Sequence, residues 1–170
     1  MTTTQLEKTN DRISAVAASA LEPAAVTLTV IRFKDVLAPD ASGQRRDTSH
    51  AMKMAKKHSQ VFVKGDDLHV KPYGATIRFT LSSSPGDREK YYPVGVTFAR
   101  EGKGTTSDEQ RLGMVNFSPR QIRLEGHSLS ITDNYKEDGK VRYEFSIVIQ
   151  RGSDGKIGII DPGIVHEDEQ

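Results

Sequence analysis

The stretch Val141-Arg142-Tyr143-Glu144-Phe145-Ser146-Ile147-Val148-Ile149-Gln150 decides the fold. Apolar side chains at Val141, Tyr143, Phe145, Ile147 and Ile149 recur with period two, while Arg142, Glu144, Ser146 and Gln150 take the other face. Successive side chains of a strand point to opposite faces, so this pattern is that of a half-buried antiparallel strand. Gly152-Ser153-Asp154-Gly155 then offers residues that tolerate positive φ, and Lys156-Ile157-Gly158-Ile159-Ile160 returns as the partner strand. Asp161-Pro162 follows, and its proline is expected to end pairing because it has no backbone donor.

Upstream, the same alternation recurs in short pieces. Ala25 to Phe33 is rich in β-branched residues and reads as the first core strand, so the domain proper starts near Ala24. Val61-Phe62-Val63 and Leu68-His69-Val70 flank Lys64-Gly65-Asp66-Asp67 as a hairpin, and Ala75 to Leu81 alternates with Ala75, Ile77, Phe79 and Leu81 on one face. Further strands are expected at Tyr92 to Ala99, Gly113 to Phe117, Gln121 to Glu125 and Ser128 to Thr132, with Ile122 and Leu124 sharing a face. About nine or ten short strands separated by Gly, Pro, Asp and Asn predict an all-β fold, an antiparallel β-sandwich of immunoglobulin-like or cupredoxin-like type.

The predicted organisation is a flexible or weakly helical N-terminal arm over residues 1–23, the β-sandwich over 24–165 and an acidic tail over 166–170. Glu22-Pro23 stops any helix in the arm. The small, mildly apolar run Ile13 to Ala20 is short for a signal core, and Glu7 and Asp11 offset Lys8 and Arg12, so a cytoplasmic location is expected over export. Val36 to Ser59 lacks strand alternation and contains Pro39 and Gly43; it predicts a long excursion with a short helix at His50 to Lys57.

Composition narrows the chemistry. The chain has 170 residues, 24 basic and 23 acidic side chains for a net charge of +1, and no cysteine. So small a net charge gives no overall field toward nucleic acid or an anionic membrane, and any partner is recognised locally. Without cysteine there is no disulfide, no thiolate metal site and no cysteine nucleophile. No run reaches the ~20 apolar residues of a membrane helix.

Candidate motifs fail one by one. Gly102-Lys103-Gly104-Thr105-Thr106 lacks the Ser or Thr after lysine and the strand and helix that a phosphate loop requires. Asp133 to Gly139 with Glu144 would be a calcium loop, but its third position is Tyr135 and its sixth is Asp138 rather than glycine. The histidines His50, His58, His69, His127 and His166 show no metal-binding spacing, and each is expected to be solvated or hydrogen-bonded. No Gly-x-Ser-x-Gly elbow occurs. No catalytic, cofactor-binding or metal-ligating set is therefore assigned.

The strongest charge feature is the basic segment Arg45 to His58. Arg45, Arg46, Lys53, Lys56 and Lys57 are the candidate surface for an anion or an acidic partner. Without interleaved aromatics between Gln44 and Gln60 the segment cannot stack bases, which disfavours nucleic acid. Phe33, Phe62, Phe79, Phe98, Phe117, Tyr143 and Phe145 fall in strand patterns and are core candidates; Tyr73, Tyr91 and Tyr92 are expected to cover strand ends.

Asn116-Phe117-Ser118-Pro119-Arg120-Gln121-Ile122, Leu129 to Asn134, Tyr143 to Ile147 and Ile160-Asp161-Pro162-Gly163-Ile164 together resemble the small bacterial DP-EP family, named for a C-terminal Asp-Pro and Glu-Pro signature. The resemblance covers the last third of the chain. Asp161-Pro162 is present, while His166-Glu167-Asp168-Glu169-Gln170 stands in place of the second signature. It implies a small β-domain of unassigned function and no catalytic residue. The Phe-x-Pro and Ile-x-Leu pattern also resembles cupredoxin-type sandwiches, although a blue-copper site needs a cysteine thiolate that this chain lacks.

The function expected from these readings is a noncatalytic binding or assembly module without cofactor, forming a homodimer through edge strands. The alternatives are a metal-dependent hydrolase built on Asp66, Asp67 and His69, and weak nucleic-acid binding through the Arg45–His58 segment.

Overall fold

A computed structural model describes residues 22–38, 48–72, 74–101, 107–135 and 140–167. Among these residues the chain forms eleven strands: β1 (Ala24–Arg32), β2 (Ser49–Met54), β3 (Val61–Lys64), β4 (Asp67–Val70), β5 (Ala75–Ser83), β6 (Tyr91–Arg100), β7 (Arg123–Glu125), β8 (Ser128–Asp133), β9 (Arg142–Arg151), β10 (Ile157–Ile160) and β11 (Gly163–His166). One helical turn, α1 (Asp108–Arg111), and a 3₁₀ turn at Pro119–Gln121 precede β7. The all-β sandwich is as the alternation predicts.

The first sheet has the order β2-β1-β5-β8-β7. In the second, β9 carries β6 along one edge; along the other, β10 pairs with Ile147 to Gln150 and β11 with Arg142 to Glu144, followed by β4 and β3. The sheets are mixed rather than purely antiparallel, because β1 runs parallel to β5 and β4 parallel to β11. Parallel neighbours need a crossover, and here it is supplied by chain that passes through the opposite sheet before returning.

The core lies between the inner faces. Val26, Leu28 and Val30 of β1, Ile77 and Phe79 of β5, and Leu129 and Ile131 of β8 face Tyr143, Phe145, Ile147 and Ile149 of β9 with Ile160 and Ile164. Aromatic rings join the two layers: Phe145 stacks on Phe98 at 5.0 Å and meets Phe79 at 5.3 Å, and Phe98 lies flat on Phe117 at 4.3 Å. Offset and tilted ring pairs at these spacings add to the burial of their area. Tyr91 stacks on Phe33 and Tyr92 packs on His127, so both tyrosines cover strand ends as expected; Tyr73 lies outside the described residues.

Four expectations are corrected. His50 to Lys57 contributes no helix: Ser49–Met54 is strand β2, paired antiparallel with β1. Its period was present in the sequence, since His50, Met52 and Met54 alternate toward the core while Ser49, Ala51 and Lys53 are exposed. Gly113 to Phe117 is turn rather than strand, because Gly113 adopts a φ of 66° and its carbonyl accepts from both Asn116 and Phe117; only Phe117 keeps a bridge, to Asp133. Leu124 does not share a buried face with Ile122: β7 is a three-residue edge, and Leu124 is exposed while Ile122 packs partly against the core.

The fourth correction concerns Asp161-Pro162. It ends β10 after Ile160, as expected, but it does not end the sheet. The Pro162 carbonyl accepts from Phe145 N at 3.1 Å, and the chain continues as β11 between β9 and β4. Proline sits at the joint where its missing donor is not needed and the strand changes neighbours. The sheet consequently runs one residue past 165: His166 belongs to β11, and Glu167 N donates to Val70 O at 2.8 Å, so neither is part of a free tail.

Replacing Phe145 by alanine removes a fully buried ring from between the sheets. A loss of about 3–5 kcal/mol is expected in urea unfolding, with the slope of the transition unchanged.

Candidate functional site

Of the basic candidates, Arg45 and Arg46 lie outside the described residues. Lys53 projects from the exposed face of β2, and Lys56 and Lys57 follow in the exposed turn after it. Lys56 pairs with Glu22 across the entry to β1, and this contact holds the Glu22 carboxyl below its ordinary value. His58 Nε2 bonds the Glu22 carbonyl at 3.0 Å. The strand and its following turn are thus held to the start of β1 by side chains as well as by the ladder.

Among the described residues the backbone of β2 has an open side. Ala55 N donates to Ala25 O at 2.9 Å, which with the register Lys53 to Thr27 and Ala51 to Thr29 identifies the pairs that exchange hydrogen bonds with β1. Hydrogen-bonded and non-hydrogen-bonded pairs alternate in an antiparallel ladder, so the N–H and C=O groups of His50, Met52 and Met54 point away from β1. β1 is the only strand paired with β2 among the described residues. The long edge strand β6 is different, since Pro93 and the irregular register between Pro93 and Gly95 interrupt it.

The residues suggested for hydrolytic chemistry are placed apart in function. Asp67 and His69 are two apart on β4 and share its outer face, but each has its own partner. Arg142 reaches Asp67 at 3.0 Å and also pairs with Glu101, and both carboxylates raise its guanidinium above the usual value, the Asp67 hydrogen bond most. The pair crosses β11 over Gly163, where a Cβ would lie 2.0 Å from Asp67 Oδ1 and 2.7 Å from Arg142 Nη2. His69 stacks on Phe62 and bonds Glu167 through Nδ1, which holds the Glu167 carboxyl below its ordinary value. Asp66 is exposed in the β3–β4 turn.

Sequence reading missed the buried polar pair at the far end of the sandwich. His166 Nε2 lies 2.8 Å from Asp133 Oδ2, both side chains fully buried, and the contact joins β11 of one sheet to β8 of the other. A carboxylate only accepts, so Nε2 carries the proton. Asp133 Oδ1 accepts from Tyr135 N at 2.9 Å, and the Tyr135 ring, at a φ of 44°, stacks on His166 at 4.3 Å. Tyr143 and Asn116 complete the shell, with Asn116 Nδ2 donating to the Tyr143 hydroxyl at 2.6 Å. The Tyr135 hydroxyl donates to the Glu167 carbonyl. Asp133 was visible only as a failed calcium position, and no local spacing links it to a histidine 33 residues away.

No family model matches the chain, and no curated protein does. Among solved structures it is similar to that of an inclusion body protein, PixA, from Burkholderia cenocepacia, at 9% identity and a TM-score of 0.36, covering 88% of this chain and 98% of the other. No helix among the described residues is long and apolar enough to cross a membrane.

Two outcomes follow from the carboxylate contacts. Asp133→Ala leaves His166 and Tyr135 N without their acceptor inside the core; a loss of about 3–5 kcal/mol in urea unfolding is expected, against a much smaller loss for Asp154→Ala in the surface turn. Glu167 has a lowered folded value, so its contribution is complete above the unfolded carboxyl value and disappears as pH falls through the folded one. Between about pH 5 and 3, Glu167→Gln should therefore lose less stability than the parent chain in urea titrations repeated across pH.

Proposed function

We propose that the chain is a noncatalytic assembly module that forms a homodimer through β2. The observation that carries this reading is the side of β2 that no other strand pairs with among the described residues, on a six-residue strand without proline, where the outward backbone groups belong to His50, Met52 and Met54. A second copy running antiparallel and centred on Met52 would place His50 opposite Met54 and Met52 opposite its twin, giving about six backbone hydrogen bonds across a twofold axis. On the exposed face Lys53 would then stand opposite Ala51, so like charges do not meet.

The mutual pairing of carboxylates with imidazole and guanidinium groups supports the noncatalytic part of the reading. Asp133 and His166 bond each other without solvent contact, His69 bonds Glu167 beneath Phe62, and Asp67 bonds Arg142. The resemblance of the C-terminal third to the DP-EP family, and a cytoplasmic location, belong to the same proposal.

Light scattering on a sizing column at high micromolar concentration tests it. A dimer mass is expected for the parent chain and a monomer mass for Met52→Pro, which removes a donor on the open side and leaves the β1 bonds at Ala51 and Lys53 in place. A monomer mass for the parent chain at that concentration sinks the proposal.

A further inference from the structure

His50 occupies an unusual position for a histidine on an edge strand. It stands opposite Val30 of β1, on the inner side of β2 with Met52 and Met54, where the margin of one sheet meets the other. Its Nε2 is buried and has no hydrogen-bond partner among the described residues, while the ring bonds the backbone of Thr48. Thr48 is itself fixed to the second sheet, its N–H donating to Ile159 O at 2.8 Å and its hydroxyl exchanging bonds with the Lys34 backbone at 3.1 and 3.3 Å. The imidazole thus sits at the seam through which β2 is attached to both sheets.

That seat suits the neutral ring alone. A neutral imidazole leaves one buried acceptor unused, which is a modest defect; protonation at Nε2 would place a charged donor there with no acceptor, which is a severe one. Among the described residues the charged groups facing His50 are Asp66, in the β3–β4 turn, and Asp161, at the β10–β11 joint. Both are exposed and belong to the opposite sheet. They attract an imidazolium outward without bonding it in its seat. Burial lowers the affinity of the seated ring for a proton more than these carboxylates restore it.

We propose that His50 is a pH-operated latch for the first half of β2: the neutral ring keeps Thr48 to Ala51 docked, and the protonated ring leaves the seam to meet Asp66 and Asp161 at the surface, releasing that end of the strand. The sign follows from the folded value lying below the free one. Docking is complete above the free histidine value and weakens as pH falls toward the docked one. The latch is a property of β2 within one chain and does not depend on β2 pairing with a second copy.

Amide hydrogen exchange on dilute protein, corrected for the intrinsic pH dependence of exchange, tests the latch. The reporters are Thr48 N–H and Ala51 N–H, with Ile77 in the central strand β5 as reference. Opening at the reporters should rise about tenfold per pH unit below the free histidine value, while Ile77 does not follow. In His50→Leu the reporters should lose this dependence. In Asp66→Asn, an exposed change, the onset should move to lower pH. Reporter opening that stays within twofold between pH 7.5 and pH 4.5, persistence of the dependence in His50→Leu, or an unmoved onset in Asp66→Asn would overturn the proposal.

Discussion

Because β9 has neighbours along both edges, the row Tyr143, Phe145, Ile147 and Ile149 is buried from end to end, and the remaining inter-sheet contacts are placed relative to it. Each of these side chains contributes about 1.5–3 kcal/mol by leaving water. A slip of one residue would turn the whole row outward, so the hydrophobic pattern specifies the register of β6, β10 and β11 at once. Phe98 and Phe79 then close on Phe145 from β6 and β5, and the two sheets acquire a common aromatic centre.

The polar contacts are arranged around that centre rather than within it. β11 is the clearest case, since it is an interior strand only four residues long. On its inner side His166 holds Asp133 of the opposite sheet; at its end Glu167 holds His69 of the neighbouring strand. Over its outer side Arg142 reaches Asp67, an approach that only a glycine at 163 leaves room for. A strand so short has few ladder bonds of its own, and these contacts fix it from both faces. The same contacts tie His166 and Glu167 into the fold.

At the opposite margin the fixing is lighter. β2 has a ladder on one side, contacts from Lys56 and His58 to Glu22, and the His50 seat. A margin held by few contacts is where local opening occurs at the lowest free energy. The proposed dimer edge and the proposed histidine latch therefore belong to one strand.

The all-β class, the strands around Ile77 and Phe145, the β3–β4 and β9–β10 hairpins and most of the aromatic core were legible in the sequence, because period-two alternation and glycine turns are local properties of a chain. The basic surface residues Lys53, Lys56 and Lys57 were legible too, as a run of charge. What only the tertiary structure decided are the features set by residues far apart: the parallel pairing of β1 with β5 and β4 with β11, the conversion of His50 to Met54 into an edge strand, the passage of the chain through Asp161-Pro162 into the middle of a sheet, and the bond from His166 to Asp133. Alternation states which face of a strand is buried but is silent on which strand lies beside it, since neighbours are chosen by how the buried faces pack together once the chain has crossed between the sheets.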